Sequence, residues 1–335
     1  MKTIFTLIPA LLMAMVLSFS CNKQPDNNLP PAHGRVVPEG KAGWSSTAVA
    51  DGVTYWEFKG KDPASGVFQF IHVSEIDLNK GYRLGFFCDL EGDKKGILCS
   101  DIMKAKDAVV ATNGGLGASK IFIKVDGRIY RKIVNEVSDK GVPNWRNDCA
   151  ICTSKEGRVF IANAIFSQDG DGQSEYGAQL SRQREYFLTD LKDAPDIISG
   201  APLLIDAYNP LGLTYVPEGE SWYRHEDDSE HPFYHQSYRH PRTAIAITGD
   251  YRLIMMVVDG RLDGCSGMNA KDMTRFLVDN FDPEYAMNLD GGKNSVMCVK
   301  DLGDPDTHVV SWPCNNGRCD HSGEHAVQTY LFVTK

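Results

Sequence analysis

Short runs of strand-forming residues dominate the chain and are separated by turn signals. Runs such as VTYWEFKG, FQFIHVSEIDL, RTAIAIT and RLIMMVVD alternate between apolar and polar residues or stay apolar throughout. Turn sequences such as VDGR, SKEGR and ITGDY separate several of these runs as hairpins. The pattern predicts an α+β fold with mixed, mostly antiparallel sheets and few helices.

The clearest helix signal is the segment NAKDMTRFLVDNF. Asn269 can cap its N-terminus, and Asp272 lies in the first turn, where the helix dipole favours a carboxylate. Helical spacing places four apolar residues on one stripe, which predicts a core-facing helix: Met273, Phe276, Leu277 and Phe281. A second helix is predicted within GAQLSRQREYFLTDL.

The composition is that of an ordinary folded domain, with 42% hydrophobic and 24% charged residues. A formal charge of −9 lacks the basic footprint of a nucleic-acid-binding protein. We therefore expect a single domain over residues 46–335, no nucleic-acid partner and a monomer.

The N-terminus has the features of a secretory signal. Lys2 precedes the apolar run IFTLIPALLMAMVLSF, and Ser20 and Cys21 follow it. This arrangement resembles a bacterial lipobox and predicts a signal peptide over residues 1–21, with lipidation at Cys21. The Pro- and Asn-rich residues 22–45 then form a flexible tether to the membrane of the cell envelope, on the periplasmic or outer side. The alternative is ordinary signal cleavage beside an incidental cysteine.

Eight cysteines remain of the nine once Cys21 is set aside. An exported chain permits disulfides, and Cys88 and Cys99 flank a turn-like stretch that a disulfide could close. Cys149 and Cys152 are three residues apart in a strand-like run, so their side chains face opposite sides and do not form a redox pair.

The segment CNNGRCDHSGEH raises the alternative of a zinc site. Its candidate ligands are Cys314, Cys319, His321 and His325, but their spacing is not that of a standard zinc finger. We expect no cofactor, and a bound metal stays an open alternative.

Four segments share one form, an apolar strand that ends in a polar or glycine-rich turn. They are VVATNGGLGA, HPRTAIAIT, MMVVDGRLDGCSGMNAKDM and AMNLDGGKNSVM. Glycines at strand ends let a backbone approach a ligand closely. In the last segment Asp290 ends a buried strand, where a carboxylate is costly unless it is hydrogen-bonded or functional.

The order of these motifs resembles that of the phosphodiester glycosidase family, from about residue 107 to the C-terminus. The matching residues are Asn113, Gly114, Gly115, Arg242, Thr243, Ala244, Asp259, Gly260, Arg261, Ser266, Gly267, Asn288, Leu289, Asp290, Gly291, Gly292 and Ser295. Two positions depart from the family pattern: Leu116 replaces a usual aromatic residue and His325 replaces a common arginine. Both changes are expected near the substrate.

The resemblance implies hydrolysis of a sugar 1-phosphodiester or a related glycan linkage, with a carbohydrate or sugar phosphate as substrate. Glycosidases pass through an oxocarbenium-like transition state and commonly use two carboxylates, here Asp259 and Asp290, with their individual roles open. A phosphate ester leaves without strong protonation, so one carboxylate plus cations could suffice. Arginine binds phosphate through two parallel bonds, which favours Arg242 and Arg261 as phosphate ligands.

The remaining matched residues are implied to line the substrate site. Asn113, Asn288 and Ser295 would orient substrate hydroxyls or the attacking water. The others implied to contact substrate are Gly114, Gly115, Thr243, Ser266, Gly291, Gly292 and His325.

Two alternatives stay open at the level of sequence. The segment WYRHEDDSEHPFYHQSYRH, residues 222–240, combines histidines and aromatic residues that could stack on sugars, or it is a solvated loop. The whole protein could also be a glycan-binding lipoprotein that keeps the pocket without turnover.

Overall fold

The computed structural model describes residues 34–335 except 64, 92–94, 135–141, 143, 167–175, 213 and 215–230. The predicted signal peptide, Cys21, residues 22–33 of the predicted tether and residues 222–230 of the histidine-rich segment lie outside the described residues. Within the described ranges, no helix is long and apolar enough to cross a bilayer.

The largest sheet has eight strands. Their order across the sheet is β1 (Trp44–Ala50), β2 (Val53–Lys61), β3 (Phe68–Asp77), β14 (Arg252–Val258), β13 (Arg242–Ile247), β15 (Tyr285–Asn288), β11 (Leu203–Asp206) and β12 (Asn209–Pro210). The hairpins predicted from turn signals are present, since β13 pairs with β14 across the ITGDY turn.

Two smaller sheets complete the β-structure of the described residues. The five-stranded sheet has the order β7 (Arg128–Arg131), β6 (Ile123–Val125), β10 (Ile197–Gly200), β8 (Cys149–Thr153) and β9 (Val159–Asn163). The four-stranded sheet has the order β16 (Met297–Val299), β5 (Val110–Asn113), β17 (Thr329–Thr334) and β4 (Arg83–Cys88). The strand pairs described in all three sheets are antiparallel.

The described helices are α1 (Cys99–Lys106), α2 (Tyr176–Thr189), α3 (Pro232–Ser237) and α4 (Ala270–Phe281). Helix α4 begins as predicted, because the Asn269 side chain accepts a hydrogen bond from the Asp272 backbone N–H at 2.7 Å. Helix α2 is also confirmed. Helices α1 and α3 were not predicted, since they are short and lack a clear apolar stripe.

The central strands β13 and β14 of the large sheet are buried on both faces, which explains why they read as continuous apolar runs, whereas the edge strand β1 is mostly exposed. On one face Ala244 and Ala246 pack with Phe276 and Leu277 of α4, so the predicted helix stripe is core. On the other face Ile245 packs in a cluster shared with the smaller sheets. The predicted α+β fold with mostly antiparallel sheets is confirmed.

The ends of β5 and β15 meet at the junction of two sheets. β5 ends at Asn113 in the four-stranded sheet, and β15 ends at Asn288 in the large sheet. The motifs that follow these strands, Gly114-Gly115 and Leu289-Asp290, therefore lie side by side.

Candidate active site

Asp290 occupies the turn that follows β15. Its carboxylate accepts hydrogen bonds from the Gly291 backbone N–H and the Asn294 side-chain amide, each at 2.8 Å, and from the Gly117 backbone N–H. Burial raises the pKa of Asp290, whereas these hydrogen bonds and the nearby Arg146 charge oppose the rise. A carboxylate with a raised pKa accepts a proton more readily than an ordinary aspartate does.

Asn113 holds the Asp290 turn in place. Its amide group donates to the Asp290 carbonyl at 2.9 Å, and the Asp290 backbone N–H donates to the Gly114 carbonyl at 3.0 Å. The Asn113 side-chain oxygen accepts from the Thr243 hydroxyl at 2.8 Å and from the Val296 N–H at 3.2 Å. Protein groups thus occupy both ends of the Asn113 amide, so Asn113 and Thr243 position the turn.

The Gly114-Gly115 turn packs tightly against β17 and the adjoining strands. Gly114 and Gly115 donate their backbone N–H groups to the carbonyl and hydroxyl of Thr329 at 2.8 and 3.1 Å. A Cβ atom at Gly115 would lie only 2.2 Å from Ile121. The turn therefore requires glycine, because any side chain would push it out of the junction.

A cavity of about 410 Å³ opens beside these turns. Its lining residues are Lys95, Asn113, Gly114, Gly115, Gly117, Ala118, Asp290, Lys293, Asn294, His325, Ala326, Val327, Gln328 and Thr329. The predicted residues Asn113, Gly114, Gly115, Asp290 and His325 are thus brought together. A cavity of this size is large enough for a small ligand.

Cations lie at or near the cavity, namely Lys95, Lys293 and Arg146, and none of them was predicted as a site residue. Lys95 and Lys293 line it. Arg146 lies beside Gly117 and close enough to lower the pKa of Asp290, and its guanidinium lies over the Trp145 ring at 4.7 Å. Lys293 lies within the motif segment of Asp290, whereas no sequence motif marks Lys95 or Arg146, because long-range folding places them there.

Two polar atoms at the cavity have no hydrogen-bond partner among the described residues. They are the Asn294 side-chain oxygen and Nδ1 of His325. Burial, followed by the charge of Lys293, lowers the pKa of His325, which favours its neutral form. Buried polar atoms are normally hydrogen-bonded, so these two atoms are suited to a bound ligand.

Arg242 is placed differently from the prediction. It is 5% exposed and does not line the cavity. Its guanidinium donates to the carbonyls of Met268 at 3.1 Å, Tyr238 at 3.0 Å and His235. Burial, together with Arg261, lowers its pKa to about 10. These backbone contacts anchor α3, whereas the phosphate-binding role of Arg242 stays a prediction.

Arg261 is exposed and lies against the Asp290 turn. It has a left-handed backbone with φ of 59°, and its Nη1 would be 3.0 Å from a Cβ at Gly292. Its guanidinium contacts Nδ1 of His240 at 3.1 Å. Burial and the neighbouring Arg242 and Arg261 lower the pKa of His240 to about 4, so the neutral ring accepts this hydrogen bond. Arg261 remains accessible to an anion.

Asp259 does not line the cavity that contains Asp290. It is 1% exposed and accepts hydrogen bonds from His72 Nε2 and the Trp312 backbone N–H, each at 3.0 Å. His72 Nδ1 in turn contacts the Tyr55 hydroxyl at 2.6 Å. The predicted pairing of Asp259 with Asp290 in one cavity is therefore not seen, and Asp259 belongs to a buried polar network.

Three other residues that were predicted to lie at or near the substrate do not line the cavity: Asn288, Leu116 and Ser266. Asn288 is buried and donates to the carbonyls of Ala201 and Leu289 at 2.9 and 2.6 Å. Leu116, expected near the substrate, packs in an apolar cluster. Ser266 is exposed at the turn after β14.

Two other predicted residues lie close to Asp290. Gly291 donates to the Asp290 carboxylate, as described above. Ser295 ends the turn that follows Asp290, and its buried hydroxyl has no partner among the described residues.

The cysteines from Cys88 to Cys319 are present as thiols. The disulfide that Cys88 and Cys99 could form, as considered from the sequence, is therefore not formed in this structure. Within the described part of the chain, no group of three or more His, Cys, Asp or Glu side chains is placed to hold a metal ion. The alternative zinc site at Cys314, Cys319, His321 and His325 is thus not assembled.

Several solved structures resemble this fold, including the following three. One is the catalytic domain of zebrafish N-acetylglucosamine-1-phosphodiester alpha-N-acetylglucosaminidase, auto-inhibited by its pro-peptide. It is 19% identical to this chain with a TM-score of 0.54, and the match covers 90% of this chain and 87% of that one. A putative exported protein from Burkholderia pseudomallei is 13% identical with a TM-score of 0.55, and the match covers 91% of this chain and 99% of that one. A hypothetical protein from Synechocystis is 13% identical with a TM-score of 0.51, and the match covers 87% of this chain and 63% of that one.

Sequence comparison gives the family. No curated protein matches the chain significantly. The family model described as phosphodiester glycosidase matches residues 106–334, which include the Asp290 turn, the glycine turn and Arg261. The chain therefore belongs to the phosphodiester glycosidase family.

Proposed function

We propose that this glycosidase-type hydrolase cleaves a sugar 1-phosphodiester, with Asp290 as the catalytic carboxylate. The observation that carries the proposal is Asp290 itself, a carboxyl group of raised pKa in a cavity that Lys95 and Lys293 also line. The zebrafish structure, whose name states activity on an N-acetylglucosamine 1-phosphodiester, supports the substrate class.

The proposed reaction uses water as the nucleophile. Asp290 accepts a proton from a water molecule, whose oxygen bonds to the anomeric carbon while the bond from that carbon to the phosphate oxygen breaks. The sugar leaves with a hydroxyl group, and the phosphate leaves as a monoester anion. A phosphate anion needs no proton to depart, so a second carboxylate in the cavity is not required. The hydrogen bonds from Gly291, Asn294 and Gly117 hold the Asp290 carboxylate in one orientation.

The cations around the turn are proposed to bind the phosphate. Lys293 lies three residues after Asp290 and lines the cavity, as does Lys95. Arg261 lies against Gly292 on the same turn and is exposed. Positive charges at this place stabilise the negative charge that develops on the departing phosphate.

The experiment is incubation with a synthetic sugar 1-phosphate methyl diester while free sugar and methyl phosphate are quantified. We expect both products from the wild-type protein and neither, above background, from Asp290→Asn. Saturable binding of the diester without product release would refute hydrolysis and favour a glycan-binding protein.

We further propose that the protein is anchored in the bacterial cell envelope through a lipid on Cys21. The lipobox-like sequence before Cys21 supports this proposal. Labelled fatty acid should be incorporated into the wild-type chain and not into Cys21→Ser. Equal membrane association of both chains would contradict the anchor.

A further inference from the structure

Two cysteine side chains contact each other between helix α1 and strand β16. Cys99 is the first residue of α1, and Cys298 is the middle residue of β16. Both side chains are fully buried, and their two thiols share a hydrogen bond. Two sulfur atoms that already touch inside the protein are candidates for a covalent bond.

The strand register explains why these two thiols meet. In the four-stranded sheet Cys298 pairs with Ala111 of β5, and Ala111 pairs in turn with Phe332 of β17. Side chains of directly paired residues lie on the same face of a sheet, so these three share one face. Helix α1 covers that face, and the apolar cluster between them includes Cys99, Ile102, Met103, Ala111, Cys298 and Phe332. The fold itself therefore brings the two sulfur atoms together.

The elements that carry the two cysteines are connected to the cavity. Strand β16 begins two residues after Ser295, which ends the Asp290 turn. At the N-terminus of α1, the Ser100 backbone N–H donates to the Glu324 carboxylate at 3.0 Å. His325, the residue after Glu324, lines the cavity. A covalent link between α1 and β16 would thus hold two walls of the cavity together.

We propose that Cys99 and Cys298 form a disulfide bond while the exported chain folds. Disulfides form and persist in the compartments outside the inner membrane, to which the sequence before Cys21 directs the chain under the location proposed above. The bond would close a loop of about 200 residues, and a link across a long loop strongly restricts the unfolded chain. The inference rests on the proposed location and is independent of the proposed hydrolysis.

The bond has to form during folding, because the folded protein shields both sulfur atoms. The thiolate is the form that attacks a disulfide, and burial, followed by the contact with Cys99, raises the pKa of Cys298. In the partly folded chain, one cysteine thiolate attacks a disulfide oxidant such as oxidised glutathione, whose S–S bond breaks and releases one thiolate. The other cysteine thiolate then displaces the second half of the oxidant as the Cys99–Cys298 bond forms. The two protons that the cysteines lose end on the two released thiolates, so the cysteines are oxidised and glutathione is reduced.

The test is a disulfide map of the whole chain, refolded from the reduced and denatured state in a mixture of reduced and oxidised glutathione. Free thiols are alkylated under denaturing conditions, and the digest is analysed by mass spectrometry before and after reduction. We expect the peptides of Cys99 and Cys298 as one linked species that reduction separates. Cys149 and Cys152 are the internal control, because they are also buried but pack in different clusters, and both should be alkylated without reduction. Alkylation of Cys99 and Cys298 without reduction, or a link from either to another cysteine, would overturn the proposal.

A second measurement tests whether the bond stabilises the fold. Reduction of the linked protein should lower its melting temperature on the order of 5 °C. Cys99→Ala should lose most of this response, whereas the matched variant Cys152→Ala, which removes an equally buried cysteine, should keep it. An equal response in both variants would overturn the assignment of the bond to Cys99.

The same map made on the exported protein, purified without reductant, separates this inference from the proposed location. A linked pair in both samples supports the two proposals together. A linked pair after refolding beside free thiols in the exported sample would overturn the proposed location alone. Hydrolysis of the sugar 1-phosphate diester is assayed independently and bears only on the proposed function.

Discussion

Asn113 donates its side-chain amide to the backbone carbonyl of Asp290 at 2.9 Å, although 177 residues separate them in sequence. The bond joins the end of β5 to the turn after β15, at the place where two sheets meet. The Asp290 backbone N–H returns a hydrogen bond to Gly114 at 3.0 Å. The orientation of the proposed catalytic carboxylate therefore depends on the packing of two sheets.

Arg242→Lys should destabilise the fold without removing the phosphate site. Lysine keeps the charge but cannot satisfy the three carbonyls that the guanidinium contacts, so we expect the free energy of unfolding to fall by about 2–4 kcal/mol. Arg261→Lys is the matched control, since Arg261 is exposed and should lose phosphate affinity with little change in stability. Denaturant unfolding of both variants measures this difference in the free energy of unfolding. A stable Arg242→Lys protein with weakened phosphate binding would return Arg242 to its predicted role.

Asp259→Asn should act on stability and not on the chemical step. The substitution disturbs the buried hydrogen bond between His72 Nε2 and the Asp259 carboxylate, and a buried polar group left without its partner costs about 1–3 kcal/mol. The folded fraction should then hydrolyse substrate at a rate close to that of wild type. If the variant unfolds like wild type but loses turnover, Asp259 is a catalytic residue as the sequence predicted.

Much of this site could be predicted from the sequence. The rest could not, because it depends on long-range contacts. The cap and stripe of α4 are local signals, and the Asn113 and Asp290 turns were identified by their family motifs. No local sequence motif identifies Lys95 or Arg146 as a site residue, because only long-range folding places them beside Asp290. Arg242 and Asp259 were assigned to substrate by the motifs, but sequence cannot show which way a side chain at a strand end points. Here both point into the protein.

Lys293→Ala should weaken binding of the phosphate-bearing substrate. Losing one charge-assisted contact raises KM on the order of tenfold. It also lowers kcat, because Lys293 is proposed to stabilise the charge that develops on the departing phosphate. Lys155→Ala is a suitable control, because Lys155 is an exposed lysine paired with Asp193 at 2.8 Å and does not line the cavity. Steady-state kinetics at two salt concentrations would test this, since added salt should reduce the difference between wild type and Lys293→Ala. An unchanged KM would exclude Lys293 from phosphate binding.

The raised pKa of Asp290 has a consequence for stability. Because the folded-state pKa exceeds the unfolded value of about 3.9, the folded protein binds this proton more tightly. The bound proton on Asp290 contributes fully to stability at a pH below about 3.9, and this contribution is lost as pH rises through the folded-state pKa. Asp290→Asn cannot lose this contribution, so its melting temperature should rise relative to wild type as pH increases above the unfolded-state pKa of about 3.9. Parallel curves for the two proteins would show that the pKa of Asp290 is not raised.

The most direct test of the account is the rate at which Asp290→Asn releases sugar from a sugar 1-phosphate diester. Asparagine keeps the size and one acceptor oxygen of the side chain but cannot accept the proton from water. We predict that wild type hydrolyses the diester and that folded Asp290→Asn does so at least roughly a hundredfold more slowly, with KM little changed. Hydrolysis by Asp290→Asn at the wild-type rate would contradict the central claim that Asp290 is the catalytic carboxylate.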